Sequence, residues 1–170
     1  MMAKPVEAGW LGAMLESVAR VDPEAVGFVQ RQGVRVLFSR QGSHVSAIWT
    51  PGMRIVLNTR YFSADTPVDD PHLMGIVMHE IRHLQQGYFT ALSVYGELDA
   101  WQFGFRVEHG LLGRAYPANL VELMSLPVVF DRNVLQRARE LMLLYAGKKY
   151  RADLLPLYPW GREIMYRLGR

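Results

Sequence analysis

The stretch Met78-His-Glu-Ile-Arg-His83 lies in one of the most apolar parts of the chain. Residues four apart share one face of a helix, so His79 and His83 are expected to point in the same direction. The neighbouring positions are apolar nearly all round, from Leu73 to Leu84, and this pattern predicts a buried helix. Burial of two imidazoles and a carboxylate costs free energy unless these groups are paired or bind a metal ion. The sequence therefore predicts a paired or metal-bound polar cluster on a core helix.

The spacing of these residues fits the pattern H-E-x-x-H, which a random ordering of this composition would contain about 0.008 times. His79 and His83 can offer imidazole nitrogens to one ion, and Glu80 can take a proton from a metal-activated water. The chain has no cysteine, so any metal must be held by His, Asp or Glu. The alternative is a His–Glu hydrogen-bond cluster that holds no metal.

A catalytic zinc site needs a third protein ligand and an open position for water. The next predicted helix offers Glu97 and Asp99, which lie about 200° apart around a helix and cannot both face the ion. Glu97 shares its face with Ala100 and Gly104, whose small side chains would let another helix approach closely. These observations favour Glu97 as the third ligand.

Asp99 is the alternative ligand. It shares its face with Gln102 and Arg106, a polar stripe that is expected to face solvent. If Glu97 binds the ion, Asp99 is either a partner of a ligand or an exposed acid.

The motif His79-Glu-x-x-His83, followed by Glu97-x-x-Ala100-x-x-Phe103-Gly104, resembles the zincin metallopeptidases that have a glutamate as third ligand. It is most similar to the compact ImmA/IrrE-like group, and the resemblance covers roughly residues 54–104. The resemblance implies that His79, His83 and Glu97 bind one zinc ion and that Glu80 is the general base. It also implies that the strand at residues 55–58 forms the sheet edge along which an extended substrate lies.

The pattern of apolar residues and turns predicts an α+β fold in a single zincin-like domain over residues 1–170. Helices are expected at residues 6–33, a small antiparallel meander at 34–62, the metal-site helices at 70–110 and two or three further helices at 117–170. Capping residues predict where the helices begin and glycines where they end. The expected caps are Asp22, Asp70, Ser93 or Thr90, and Asp131, and the expected ends are Gly33, Gly87, Gly110 and Gly147.

Charge and hydropathy limit the kinds of partner that this chain is expected to have. The chain of 170 residues has a net charge of +3, with sixteen arginines and three lysines, and residues 131–170 carry nine basic against four acidic side chains. No apolar run reaches the roughly 18 residues that a membrane span needs, so we expect a cytoplasmic protein. The resemblance to metallopeptidases implies a peptide or protein substrate. The alternative is a catalytically silent zincin-like module whose basic C-terminal face contacts nucleic acid or an acidic protein.

A peptidase also needs a hydrogen-bond donor for the oxyanion that develops during the reaction. Tyr88, Tyr95 and His109 are the candidates near the motif in sequence, and Tyr95 is favoured because it directly precedes the predicted ligand helix.

Overall fold

The predicted mixture of helices and a small sheet is present in the computed structural model, which describes residues 4–5, 8–20, 22–113 and 116–169. The helices are α1 (Ala8–Val18), α2 (Pro23–Gln32), α3 (Pro71–Gln86), α4 (Tyr88–Ala91), α5 (Val94–Leu112), α6 (Ala118–Ser125), α7 (Arg132–Ala146) and α8 (Trp160–Arg167). The strands are β1 (Lys4–Pro5), β2 (Arg35–Ser39), β3 (Ala47–Thr50) and β4 (Arg54–Asn58). Two short 3₁₀ turns, Lys148–Tyr150 and Ala152–Leu154, follow α7.

The predicted helix starts are confirmed wherever the structure describes them. Asp22, Asp70, Ser93 and Asp131 each accept a backbone N–H of the first helical turn through their side chains. The expected start of the first helix at residue 6 lies outside the described residues. The expected end of α5 at Gly110 is wrong, because the helix continues to Leu112.

The end of α5 lies at Gly113, which adopts the left-handed conformation with φ 62° and donates its N–H to the carbonyl of His109. A glycine favours the end of a helix when its backbone takes a positive φ, which other residues rarely adopt. Gly110 remains inside α5 and carries only the helix-propensity cost of a glycine.

The sheet differs from the predicted antiparallel meander. Its order is β1-β2-β4-β3, with β2 parallel to β4 and β3 antiparallel to β4. The last four residues of β4 are buried, as expected for a strand that has neighbours on both sides. Residues 55–58 therefore do not form a sheet edge, and the prediction that they border the cleft is wrong. Strand β3 forms that edge instead.

Helix α5 lies between two apolar cores. One face contributes Phe103 and Val107 to the core formed with α1, α2, the sheet and α3. The opposite face contributes Leu98 and Trp101 to a second core, formed with α6, α7 and the segment around Leu157. None of the helices in the described part of the chain is both long and apolar enough to cross a membrane.

Small residues bring α3 and α5 into close contact, as the stripe beside Glu97 predicts. A Cβ atom placed on Gly104 would lie 2.5 Å from the carbonyl oxygen of Gly75 and 3.1 Å from the Cβ of His79. Any larger side chain at position 104 would push the two helices apart. The glycine contact thus holds α5 close enough for its side chains to meet those of the H-E-x-x-H segment.

Candidate metal centre

His79, His83 and Glu97 converge at the junction of α3 and α5. The Nε2 atoms of the two histidines are 3.0 Å apart. Glu97 directs one carboxylate oxygen to each ring, at 3.7 Å from His79 Nε2 and 3.5 Å from His83 Nε2. The structure therefore brings together the three residues that the sequence predicts as ligands, and together they could hold a metal ion.

The spacing and chemistry of these donors fit a zinc ion. Zinc binds imidazole nitrogen and carboxylate oxygen at about 2.0–2.2 Å, so tetrahedral ligands lie about 3.4 Å from one another. The three donor atoms of His79, His83 and Glu97 all lie within 4.8 Å of each other. Two nitrogens and one oxygen are also a donor set that zinc commonly takes at catalytic sites, where a fourth position stays open.

The second ring nitrogen of His83 is held by a chain of polar contacts that runs from Gln86 on α3 to Asp99 on α5. Nδ1 of His83 lies 3.2 Å from Oε1 of Gln86, whose amide nitrogen donates to Asp99 at 2.8 Å. Asp99 in turn accepts two hydrogen bonds from the guanidinium of Arg82, at 2.7 and 3.1 Å. Such outer contacts fix the ring orientation of metal-binding histidines.

Burial lowers the pKa of His79 well below its usual range, and the neighbouring His83 acts in the same direction. The backbone of Ala100 lies near the ring of His79 and acts to raise its pKa. The neutral imidazole is the form that binds a metal. Both histidines therefore direct Nε2 at the triad, and Gln86 holds the other ring nitrogen of His83.

The geometry of α5 separates the two candidate acids. Glu97 points to the histidines, while Asp99 pairs with Arg82 and contacts His83 only through Gln86. The predicted role of Asp99 as a partner of a ligand is thus the one that the contacts support. The expectation that its whole stripe faces solvent is wrong for Gln102, which is buried and donates to backbone carbonyls of residues 123 and 126.

Glu80 is buried beside the triad and reaches across to the sheet. Its Oε2 atom accepts a hydrogen bond of 2.8 Å from the backbone N–H of Trp49 in β3. Burial raises the pKa of Glu80 to about 8, the charge of Glu97 adds to this increase, and the Trp49 hydrogen bond opposes it. A nearby cation would favour the charged carboxylate and oppose the effect of burial.

Tyr150, which the sequence does not single out, completes the site. Its hydroxyl donates to Oε2 of Glu97 and accepts from the indole N–H of Trp101. Burial and the charge of Glu97 raise the pKa of Tyr150 well above its usual range, so the phenol stays protonated and can donate. Trp101 also packs edge-on against the ring of His79. Tyr150 therefore orients the glutamate from a segment that lies 53 residues further along the chain.

The three residues proposed from sequence as oxyanion donors are not in the group that lines the cavity beside the triad. Tyr95 stacks on Phe130 with ring centroids 4.2 Å apart, and His109 packs against Tyr116. Tyr88 is 55% exposed and packs against Trp49. Among the described tyrosines, Tyr145 and Tyr150 are the two that line this cavity.

A cavity of about 580 Å³ opens above the triad. Its floor is formed by α3 and α5, and one wall by the end of α7 and the 3₁₀ turn that carries Tyr150. The opposite wall is formed by residues 43–49, which include the first part of β3. His79, Glu80, His83 and Glu97 all line the cavity, so a molecule inside it would meet the whole site.

The free edge of β3 faces this cavity. Adjacent residues of an antiparallel strand alternate between the partner strand and the open side. Asn58 of β4 donates to the carbonyl of Ser46, which therefore faces the sheet, whereas Trp49 N–H points away from β4 to Glu80. By the same alternation, the backbone of Ala47 faces the cavity with Trp49. The strand thus presents backbone groups to which an extended chain could pair.

Comparison of the chain with known protein families, with curated proteins and with solved structures finds no significant match. The comparison with zincins consequently depends on the motif and on the geometry of the site alone.

Proposed function

We propose that this protein is a zinc-dependent metallopeptidase that hydrolyses peptide bonds with Glu80 as general base. The observation that carries the proposal is the position of the His79–His83–Glu97 triad at the floor of an open cavity, with Glu80 beside it. A structural zinc site is closed by four protein ligands, whereas a catalytic site has three and leaves room for water and substrate.

The residues of the site divide the work of hydrolysis. His79, His83 and Glu97 would hold the zinc ion, which would act as a Lewis acid and make water a nucleophile near neutral pH. Glu80 takes the proton of the attacking water and then delivers a proton to the leaving amine. The Trp49 N–H holds one oxygen of Glu80, which leaves the other oxygen free for the proton transfer. Tyr150 and Gln86 keep Glu97 and His83 in place while this happens.

The substrate that fits this cavity is an extended peptide. A strand edge binds an extended chain through backbone hydrogen bonds, which require no particular sequence. The cavity side of β3 offers such an edge, and Glu80 lies directly beside it. A peptide paired with β3 would consequently place a backbone carbonyl next to the general base.

Metal analysis of the purified protein tests the proposal. We expect about one zinc per chain, and we expect His83→Ala to lose it because the substitution removes one of three ligands. His44→Ala is the matched control, since His44 lines the same cavity, is exposed and is not a member of the triad. Retention of zinc by His83→Ala, or equal loss from both variants, would contradict the assignment. The same preparations are then assayed for hydrolysis of a peptide mixture.

Tyr150→Phe should weaken zinc binding without abolishing it. The substitution keeps the ring but removes the hydroxyl that donates to Glu97, and loss of such an outer contact typically costs about 10–100-fold in metal affinity. Tyr145→Phe is the control, because Tyr145 lines the same cavity without a contact to the triad. Competition with a chelator at one pH measures both affinities. An unchanged affinity in Tyr150→Phe would show that the hydroxyl does not orient Glu97.

A further inference from the structure

The cavity contains a further acidic side chain, Glu108, which is not a member of the triad. Helices α3 and α5 run antiparallel, so that Gln86 contacts Gly96 at one end of the pair and His72 contacts Glu108 at the other. Glu108 follows Glu97 by eleven residues on the same helix, which corresponds to roughly 16 Å along the axis. Both residues line the same cavity. The cleft therefore leads from the metal centre to the carboxylate of Glu108.

Glu108 lies against the floor of the cleft in the space left by a glycine, Gly75. A Cβ atom on Gly75 would lie 3.0 Å from the Cβ of Glu108 and 3.1 Å from its Oε2 atom, so a larger residue would displace the carboxylate. The side chain of Glu108 is only 19% exposed. Removal of a carboxylate from water makes its remaining interactions stronger, because the surrounding dielectric is lower.

The charge of Glu108 is only weakly compensated. Its described ionic partner is His72, whose ring nitrogen lies 3.6 Å away and whose side chain is 64% exposed. Exposed ion pairs contribute little free energy, so a cation that enters the cleft could replace the imidazole. The field of Glu108 also reaches the opposite wall: burial raises the pKa of Tyr145, and the charge of Glu108 adds to the increase.

The distance between Glu80 and Glu108 fits an extended peptide. Glu80 lies five residues from Gly75 on α3, and a Cβ on Gly75 would contact Glu108, so Glu80 and Glu108 lie roughly 8 Å apart along the helix axis. A β-strand advances about 3.3 Å per residue, so this distance corresponds to about two or three residues. A chain that lies along the cleft with one peptide bond at Glu80 would bring a side chain about two or three residues away to the level of Glu108. Residues 43–46, which precede β3, line the cavity along the same wall.

We propose that Glu108 forms a subsite for a lysine or arginine side chain of an extended peptide, about two or three residues from the bond at the metal centre. The proposal rests on the function proposed above, because that function supplies the peptide. Glu108 accepts the charged hydrogen bond of the basic side chain, while Gly75 leaves the space in which the carboxylate lies. The subsite selects among peptides and does not take part in the hydrolysis.

Peptide binding tests the subsite without any turnover. The probes are labelled ten-residue peptides of Ala, Ser and Thr, blocked at both ends, with a single Arg at successive positions. Matched probes carry Gln or Glu in place of Arg. Binding is followed by fluorescence anisotropy with protein that carries Glu80→Gln, so that no probe is cut. Glu108→Gln is the test variant, and Glu16→Gln on the exposed face of α1 is the control with the same loss of charge.

We expect one Arg position to bind about tenfold more tightly than its Gln counterpart, because charge-assisted hydrogen bonds are the stronger class. The probe with Glu at this position should bind most weakly, because its charge repels that of Glu108. This comparison among probes uses protein that keeps Glu108, so it does not depend on the folding of a variant at position 108. Glu108→Gln should lose the preference, and Glu16→Gln should keep it. The proposal is overturned if no Arg position is preferred, if no probe binds, or if the preference survives in Glu108→Gln.

Hydrolysis of the same probes by protein with Glu80 intact separates the two proposals. Cleavage without any preference for Arg would overturn the subsite and support the peptidase. An Arg preference that depends on Glu108, without cleavage of any probe, would support the subsite and contradict the peptidase.

Discussion

Glu80→Gln should retain about one zinc per chain and lose nearly all peptide hydrolysis, by roughly 10²–10⁴-fold. The glutamine has the same shape as the glutamate, but its amide cannot accept the proton of the attacking water. Glu80 is not one of the three residues that could hold a metal ion, so the variant keeps the donor set. The amide oxygen can still accept the N–H of Trp49, so the contact between α3 and β3 is preserved.

The measurement is a metal analysis together with the hydrolysis rate of one peptide substrate, each compared with the unaltered protein. Glu16→Gln provides the control, because Glu16 is exposed on α1 outside the cavity. If Glu80→Gln lost zinc as readily as His79→Ala does, Glu80 would be a ligand rather than the base. If it kept its hydrolytic rate, the general base would be another group. A protein whose unaltered form holds zinc but cuts no peptide would instead match the silent binding module.

The helices and the triad residues on α3 could be predicted because the forces that place them are local. An aspartate cap acts on the next turn of its own helix, as Asp70 does on Leu73. The spacing of His79 and His83 is likewise a property of a single helix. The prediction of Glu97 required one further inference, namely that the small residues beside it let α3 pack closely against α5. The close approach of Gly104 to the backbone of Gly75 confirms that the two helices pack against each other at this stripe.

The order of the strands could not be predicted in the same way. Turn residues such as Pro51-Gly52 indicate that β3 and β4 form a hairpin, and this pair is present. The strand that pairs with β2, by contrast, depends on which strand lies in the centre of the sheet and is buried on both of its faces. The continuous burial of Ile55 to Asn58 answers that question, because a central strand is apolar over its length and an edge strand alternates. The apolar run Ile55-Val-Leu57 was the signal that could have placed β4 in the centre.

Tyr150 shows that closeness to the motif along the chain does not identify the tyrosine that contacts the triad. The candidates Tyr88, Tyr95 and His109 lie near the motif along the chain, yet a helix carries its residues around all of its faces. Tyr95 consequently packs on Phe130 and does not line the cavity above the triad. Tyr150 reaches Glu97 only because α7 packs on α5 and its C-terminal end lies over the cavity. A long-range contact of this kind has no periodic signature in a single sequence.

Glu97→Ala should weaken zinc binding by more than about 100-fold, whereas Asp99→Ala should cost at most about 10–100-fold. Glu97 supplies the one oxygen donor of the triad, so its removal leaves two histidines to hold the ion. Asp99 contacts His83 only through Gln86, and its loss would free Arg82 and loosen the ring without removing a ligand.

The difference between these two acids is the sharpest test of the site, because they lie only two residues apart on α5 and carry the same charge. A chelator competition on both variants at one pH gives the affinities, since protonation of the ligands makes metal binding depend on pH. Asp99→Asn is the accompanying control: its amide oxygen can still accept from Gln86 and Arg82, so it should retain more affinity than Asp99→Ala. If Asp99→Ala released zinc more easily than Glu97→Ala, the ion would be bound on the Asp99 face of α5. The protein would then resemble the zincins that use an aspartate, and Glu97 would serve only as the partner of Tyr150.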